Sequence, residues 1–405
     1  MMISKKVLSP VSRTRELTLD LVRGLSALLV MLGHLRGFVF EDYGDLGGVG
    51  PLTKIFYFAT GLGHQAVMVF FVLSGYFVGG SVISGLINDR FSWVTYATAR
   101  VTRLWMVLLP ALLLTFCIDL LGAHWNPNGY GGAWRERFMS GPSQLEPVAH
   151  GGMTFLGNLG FLQDVLVPVY GTNGPLWSLA NEFWYYVLFP LIAVAGFRPL
   201  SKDRMKPRVI RFFHLGLFAL IVYFLPFGMM LSGSIWLMGV AVWLIRWQAM
   251  EGSDRLNSPV SKNWAKQFIE GWPFRILGGL FFLATLALSK TPHWLGGDYA
   301  VGSSFSVWTL SLFGMRPASR FLRRLATGLS DVSYTLYVVH FPLLFFFSVV
   351  LLEGRQFPAD REGFLWFGGM ASAVLLISTG MWWLFERNTD SLRKWIDRKL
   401  GRKSS

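Results

Sequence analysis

Cysteine is almost absent. The 405-residue chain holds one, Cys117, which excludes an internal disulfide framework and offers no thiolate cluster for a metal. Charge is scarce as well: charged residues make up 15% of the chain against 53% hydrophobic. Little of that charge is acidic, with 23 Asp and Glu against 37 Lys and Arg, for a formal net charge of +14. No stretch reads as a soluble domain, no repeat is evident, and nothing suggests a metal site. What the chain has instead is long uncharged runs, recurring from Leu17 to Phe385. Runs of this length belong to membrane-spanning helices. The expected fold class is all-α, a polytopic integral membrane protein forming one membrane domain over residues 1–405.

A basic excess of this size would point to nucleic acid in a soluble chain. In a membrane chain it is first tested against topology. Ten spans are expected, at about 18–40, 62–84, 104–122, 175–196, 212–231, 233–248, 275–289, 299–314, 332–352 and 363–385. A weaker apolar piece near 153–169 reads as a short interfacial or re-entrant segment. With the N-terminus in the cytoplasm, the inner segments hold 29 Lys and Arg and the outer loops 6, Arg23 and Arg36 lying within a span. That asymmetry puts both termini in the cytoplasm. It also accounts for the basicity with the lipid bilayer, and not nucleic acid, as partner. The basic segment 1–17 resembles the start of a signal peptide, but the run after it is too long for one and reads as a retained first span. The longest outer loop, 123–174, is rich in Gly, Pro, Asn and Trp, and the basic tail 386–405 reads as a cytoplasmic, membrane-surface segment.

The first span, LDLVRGLSALLVMLGHLRGFVF from Leu19 to Phe40, breaks the apolar rule at Arg23 and His34. Ionisable groups inside a span are costly and usually face the bundle interior. Eleven residues at ~100° each leave an offset of roughly 20°, so both share one face about 16.5 Å apart along the axis. A cation near the inner surface and an imidazole deep inside suit a long ligand with an anionic head and a reactive tip. The plainer alternative is a snorkelling arginine and a histidine bonded within the bundle.

Other stretches carry candidates of the same kind. In AVMVFFVLSGYFVGG, Ala66 to Gly80, Ser74 and the glycines read mainly as close helix packing, with Ser74 lining a polar tunnel as the alternative. Arg100 and Arg103 are neighbours on a helix face where the third span begins, able to grip phosphates or simply to anchor the inner surface. In GTNGPLWSLANEFWYYVLFP, Asn173 is placed to cap a helix, and Glu182 lies at a depth comparable to His34. Ser178, Tyr185 and Tyr186 can share the Glu182 face. A buried His with a buried Glu is the minimum kit for general-base catalysis with an orienting acid. His340, three after Tyr337, reads on its own as a satisfied structural residue, and Glu386-Arg387 as an interfacial terminus.

These stretches together match a family. Leu19 to Ala27 with ten residues between Arg23 and His34, Phe70 to Tyr76, Arg100-Val101-Thr102-Arg103, Pro175 to Leu179 with Glu182 to Tyr186, and Ser333 to Tyr337 with His340 and Pro342 occur in family order. In this the chain resembles the membrane-bound acyltransferase family 3, which includes O-antigen, exopolysaccharide and Nod-factor O-acetyltransferases. The resemblance implies transfer of an acyl group, acetyl first among them, from cytoplasmic acyl-CoA to a hydroxyl of an exported or cell-surface carbohydrate, lipid-linked or free, at the bacterial inner membrane. It implies no permanently bound cofactor, His34 as catalytic, and Arg23, Arg100 and Arg103 at the CoA end; Glu182, placed by depth beside His34, is the catalytic partner expected to orient or charge-stabilise it. Further substrate contacts are expected from Ser74, Tyr76, Asn173, Trp177, Ser178, Tyr185, Tyr334 and His340. The chain departs from the family at Met68, where an acidic residue is common, and shows no fused esterase-like domain, so it is expected to engage its acceptor unaided. The competing class is a transporter or flippase for a lipid-linked saccharide, since intramembrane His, Glu and Arg also mark transport paths; the matched broken helices of transporters are not seen here. A third class, a non-catalytic assembly partner, would be indifferent to substitution of His34 and Arg23.

Overall fold

The computed structural model describes residues 16–131, 148–197, 206–255, 263–291, 297–313, 315, 319–399 and 401. Among these residues the regular structure is helical, with β pairing confined to isolated bridges such as Phe40 with Phe357. In chain order the helices are α1 (Leu17–Val39), α2 (Pro51–Thr60), α3 (Gly63–Ser74), α4 (Gly80–Ile87), α5 (Trp93–Trp125), α6 (Pro127–Tyr130), α7 (Gly152–Leu159) and α8 (Leu176–Phe197). They continue with α9 (Lys206–Phe224), α10 (Phe227–Arg255), α11 (Asn263–Glu270), α12 (Trp272–Leu288), α13 (Gly297–Leu312), α14 (Arg320–Leu351), α15 (Arg361–Leu384) and α16 (Thr389–Lys399). Short polar residues start the long ones: Ser92, Ser319 and Asp360 accept from Thr95 N, Leu322 N and Gly363 N, pairing amides that the first turn leaves open.

Seven helical stretches among the described residues are long and apolar enough to cross a membrane: Leu17–Val39, Gly63–Ile87, Trp93–Trp125, Leu176–Gly196, Phe227–Ala249, Arg320–Leu351 and Arg361–Lys399. The protein is an all-α polytopic membrane protein. The other three expected spans fall on α9, α12 and α13, whose apolar portions are shorter. The third span is longer than expected, α5 reaching from Trp93 through Trp125, so Arg100 and Arg103 lie two turns or more inside it. Among its described residues the expected outer loop carries two short helices, α6 and α7, and the apolar piece near 153–169 includes α7. Cys117, within the apolar run of α5, is a free, exposed thiol. The segment 1–15, the loop centre 132–147 with Arg135 and Arg137, the basic residues at 198–205 and 256–262, and the tail beyond 401 lie outside the described residues.

Burial sorts the spans. Gly63–Ile87 and Arg320–Leu351 are 78% and 72% buried over their apolar windows, whereas Arg361–Lys399 is 17% buried and lies at the periphery. α1 packs most extensively on α14, and α14 also meets α5 and α15. In lipid, apolar contact alone gives helices little reason to associate, so small residues that admit close packing matter more. Gly24 is one: a Cβ there would stand 2.5 Å from the Leu329 Cβ of α14. Gly75 is another, its Cβ position falling 1.9 Å from the Trp236 carbonyl oxygen of α10. The packing reading of that glycine-rich stretch therefore holds. Gly75–Gly79 joins α3 to α4 as a π-helical turn, a local widening of the helix that recurs at functional sites.

Candidate functional site: an arginine-lined cavity and a histidine pair

The spacing of Arg23 and His34 puts both against α14. Arg23 Nη2 donates to Asp20 Oδ1 at 3.1 Å and to the Ser330 hydroxyl, which itself donates to Asp20 at 3.0 Å. About three turns further along the same face, His34 Nδ1 lies 2.8 Å from His340 Nε2, the two rings nearly parallel at 9°.

The His340 contacts fix the tautomers. His340 is fully buried, and its Nδ1 faces two backbone carbonyls, Leu336 O at 3.0 Å and Tyr337 O at 2.8 Å. Carbonyls only accept, so Nδ1 carries the hydrogen. In the neutral ring Nε2 is then an acceptor, and His34 must donate to it from Nδ1. His34 Nε2 is left with a lone pair. A nitrogen with a free lone pair is able to act as a base or a nucleophile. His340, read from sequence as structural or substrate-binding, thus orients His34. The orienting place expected for Glu182 is taken by His340, and the Glu182 carboxylate is engaged elsewhere: Tyr186 donates to its Oε1 at 2.5 Å.

Glu182 lines a cavity of about 240 Å³ between α1, α3, α5, α8 and α14. Arg23, Arg100 and Arg103 line it from α1 and α5, and Ser74, Ser178 and Tyr334 add polar groups. Arg103 is exposed, while Arg100 is half-buried, with Nη2 3.4 Å from Ser81 Oγ and its guanidinium over the Tyr96 and Tyr186 rings. Much of the remaining wall is apolar, from Val67, Phe70, Phe71, Leu73 and Leu104. A cavity with guanidiniums and an apolar wall suits an anionic head on a flexible, weakly polar arm. Ser74 does double duty, packing at the α10 crossing and joining the wall: its hydroxyl takes the Trp236 Nε1 hydrogen at 3.0 Å and meets Tyr186 Oη at 3.2 Å.

The sequence candidates separate into three groups. Arg23, Arg100, Arg103, Ser74, Ser178, Glu182 and Tyr334 come together around the cavity. His34 and His340 form the pair described above, and neither belongs to the cavity lining. The lining of this cavity thus reaches Arg23 and stops short of His34. Tyr337 stands between the two groups. It lines the cavity, its ring centroid is 5.9 Å from that of His340, and it meets Phe70 edge-on at 5.7 Å. Its hydroxyl is 2.5 Å from Ser178 Oγ.

Tyr76, Asn173, Trp177 and Tyr185 are outside the lining. The π turn carries Tyr76 toward α10, where its hydroxyl accepts from Arg246 at 2.8 Å. Tyr185 sits three residues from Glu182 and Tyr186 four; the fourth follows the face more closely, and Tyr185 instead donates to Met229 O at 2.7 Å. Trp177 packs edge-on behind Phe71. The Asn173 side chain does not cap α8 but donates to Thr115 Oγ1 and Val338 O.

Tyr186 and Tyr337 were visible in sequence as neighbours of Glu182 and His340. Ser330 and Ser333, with Tyr337, form a polar stripe on α14 at helical spacing. Glu386 had no such signal. It reaches back from the end of α15 to accept from Thr335 Oγ1 at 2.5 Å and Thr335 N at 3.2 Å, within electrostatic reach of Arg103 and Arg23.

Comparison with known proteins adds to this geometry. The acyltransferase domain model of the acyltransferase 3 family matches residues 16–383. The chain is similar to the O-acetyltransferase OatA of Staphylococcus aureus (strain NCTC 8325 / PS 47), 23% identical over 322 residues that take in 72% of this chain and 48% of that protein. It is also similar to an uncharacterized protein of Haemophilus influenzae, 25% identical over 142 residues, 34% of this chain and 52% of that one. The chain spans about half the length of these curated relatives. No solved structure matches it. With the family model covering nearly the whole described chain, this chain belongs to the acyltransferase 3 family.

Proposed function

We propose that this protein transfers an acyl group, acetyl in the first place, from cytoplasmic acyl-CoA to a hydroxyl of an exported or cell-surface carbohydrate, lipid-linked or free. On this reading it works in a bacterial inner membrane with both termini in the cytoplasm. The single observation that carries the proposal is the contact of His34 Nδ1 with His340 Nε2, whose far nitrogen faces two carbonyls; the tautomers that follow leave His34 Nε2 its lone pair. The similarity to an O-acetyltransferase supports the choice of acyl group and reaction.

The donor's phosphates meet Arg103, Arg100 and Arg23, and its arm lies along the apolar wall. Glu182 and Ser178 offer acceptors to the amide hydrogens of that arm. The thioester reaches His34 only when the Phe70 and Tyr337 rings part, which makes that pair the barrier between donor cavity and reacting centre. Two chemical routes lead to the same products. In one, His34 Nε2 takes the acceptor hydroxyl's proton as its oxygen bonds the thioester carbonyl carbon; the carbon–sulfur bond breaks, and the proton passes to the leaving thiolate. In the other, Nε2 bonds the carbonyl carbon and releases the thiolate, and the sugar oxygen then displaces the imidazole, its proton ending on the thiolate.

The test is purified protein in vesicles with radiolabelled acetyl-CoA inside and saccharide acceptor outside. Label transfer or acetyl-CoA hydrolysis that disappears in His34→Ala supports the proposal. Full transfer by His34→Ala excludes both routes, and movement of a saccharide without acyl chemistry makes the protein a transporter.

A further inference from the structure

We propose that Asn173 is a positioning residue: its side-chain amide holds the carbonyl that Pro342 leaves open in α14, and so fixes the helical turn that presents His340 to His34. The argument starts from a missing hydrogen. Pro342 lies inside α14 and has no backbone N–H, so the carbonyl four residues before it, Val338 O, lacks its intrahelical donor. Deep in a membrane protein an open carbonyl is costly and a neighbouring group normally closes it. Asn173 Nδ2 does so at 2.9 Å, from the loop that leads into α8.

The turn concerned is the one that sets the histidine pair. Leu336 O and Tyr337 O receive His340 Nδ1, and Val338 O receives Asn173, so three successive carbonyls of α14 are held by side chains. The loop is itself braced. Thr172, next to Asn173, is bound at its amide and hydroxyl by Asp119, at 2.9 and 2.8 Å, and Asp119 also takes His150 Nε2 at 2.9 Å. Asp119 is fully buried on α5. The second hydrogen of the Asn173 amide faces Thr115 Oγ1 at 3.3 Å, also on α5. The result is a strut from α5 to the proline turn of α14. Asn173 Oδ1 has no donor among the described residues although the residue is fully buried, so the amide's service here lies in its nitrogen.

The catalytic consequence rests on the reading of His34 given under Proposed function; the geometric one does not. Two readouts keep them apart. In full-length protein, Asn173→Ala should lower kcat by about 10- to 100-fold, as a displaced catalytic group does, with the KM for acetyl-CoA unchanged. Pro342→Ala restores an N–H opposite Val338 O, so the double variant should recover most of the rate. The second readout is the nitrogen-15 spectrum of histidine-labelled protein in lipid, assigned with His34→Asn and His340→Asn. The hydrogen-bonded His34 Nδ1 and His340 Nε2 signals should change in Asn173→Ala and return in the double variant. A wild-type rate and spectrum in Asn173→Ala overturn the proposal. So does a loss, of rate or of monodisperse protein, that Pro342→Ala fails to repair. If no acyl transfer is found in the wild type but the spectra behave as stated, the strut stands and the acyltransfer reading falls.

Discussion

His340 Nε2 accepts a hydrogen bond from His34 Nδ1 over 2.8 Å, and backbone carbonyls hold the far side of His340. A neutral imidazole in this place fixes the partner's tautomer as a carboxylate would, but brings no counter-charge for an imidazolium. The pair therefore orients a lone pair more than it stabilises a cation.

Removing each ring should have distinct effects. His34→Ala should lower kcat by about 100-fold or more, the usual contribution of a positioned base. His340→Ala should cost roughly tenfold or more, through misorientation alone. Both variants should bind acyl-CoA normally. Initial rates against acyl-CoA concentration in proteoliposomes separate the two parameters, and a raised KM with normal kcat would move the histidines from chemistry to binding.

The arginines should show the opposite pattern. Arg103 is the exposed member at the cavity, and Arg103→Ala should raise the KM for acyl-CoA by roughly tenfold or more, the scale of one hydrogen bond to a charged group, with kcat little changed. Because exposed charges are screened, added salt should raise the wild-type KM and leave the variant less affected. Equal salt dependence in the two proteins would take Arg103 out of the donor site.

Tyr186 connects the cavity carboxylate to the α10 crossing, through Glu182 on one side and Ser74 on the other. Tyr186→Phe keeps the ring and strips a donor from Glu182, which should lower stability by about 1–3 kcal/mol. Ser74→Ala leaves the Trp236 N–H without its acceptor. Since the two groups belong to one network, the double variant should lose less than the sum of the singles, a cycle measurable by thermal unfolding in detergent. Strict additivity would mean the network does not act as a unit.

At Gly24 the question is space. A Cβ would meet the Leu329 Cβ at 2.5 Å and force α1 away from α14 beside Arg23 and Ser330. Gly24→Ala should cost about 1–3 kcal/mol, the range for overpacking a filled interior, and Gly24→Val more. Activity should fall with stability, since the same contact places Arg23. A variant as stable as wild type would show that the helices can separate there without penalty.

How much of this was legible beforehand depends on the distance over which each feature is encoded. The eleven-residue spacing of Arg23 and His34 put both on the α14 side because a helix fixes angles locally. The same rule linked Glu182 with Ser178 and Tyr186. It failed at Tyr185, which lies one position off the face, and it had nothing to say of Tyr76, expected from the family stretch and carried toward α10 by a π turn. Pairing across the bundle was beyond it: the Glu182 carboxylate was matched to His34 by depth alone, yet His340 holds that place. Depth says how far a group lies along the membrane normal and nothing about which helix stands beside it.

The sequence by itself determined that the chain is a bundle of apolar helices and which helix faces carry its few polar groups, because lipid tolerates only backbones that satisfy their own hydrogen bonds. Tertiary structure alone decided that those groups divide into an arginine-lined cavity and a separate histidine pair with Tyr337 between them. It alone brought Glu386 to Thr335 and Asn173 to Val338, contacts 51 and 165 residues apart in sequence. The physical reason is that helical periodicity sets where a side chain points around its own axis, whereas the partner it meets is set by how the helices pack.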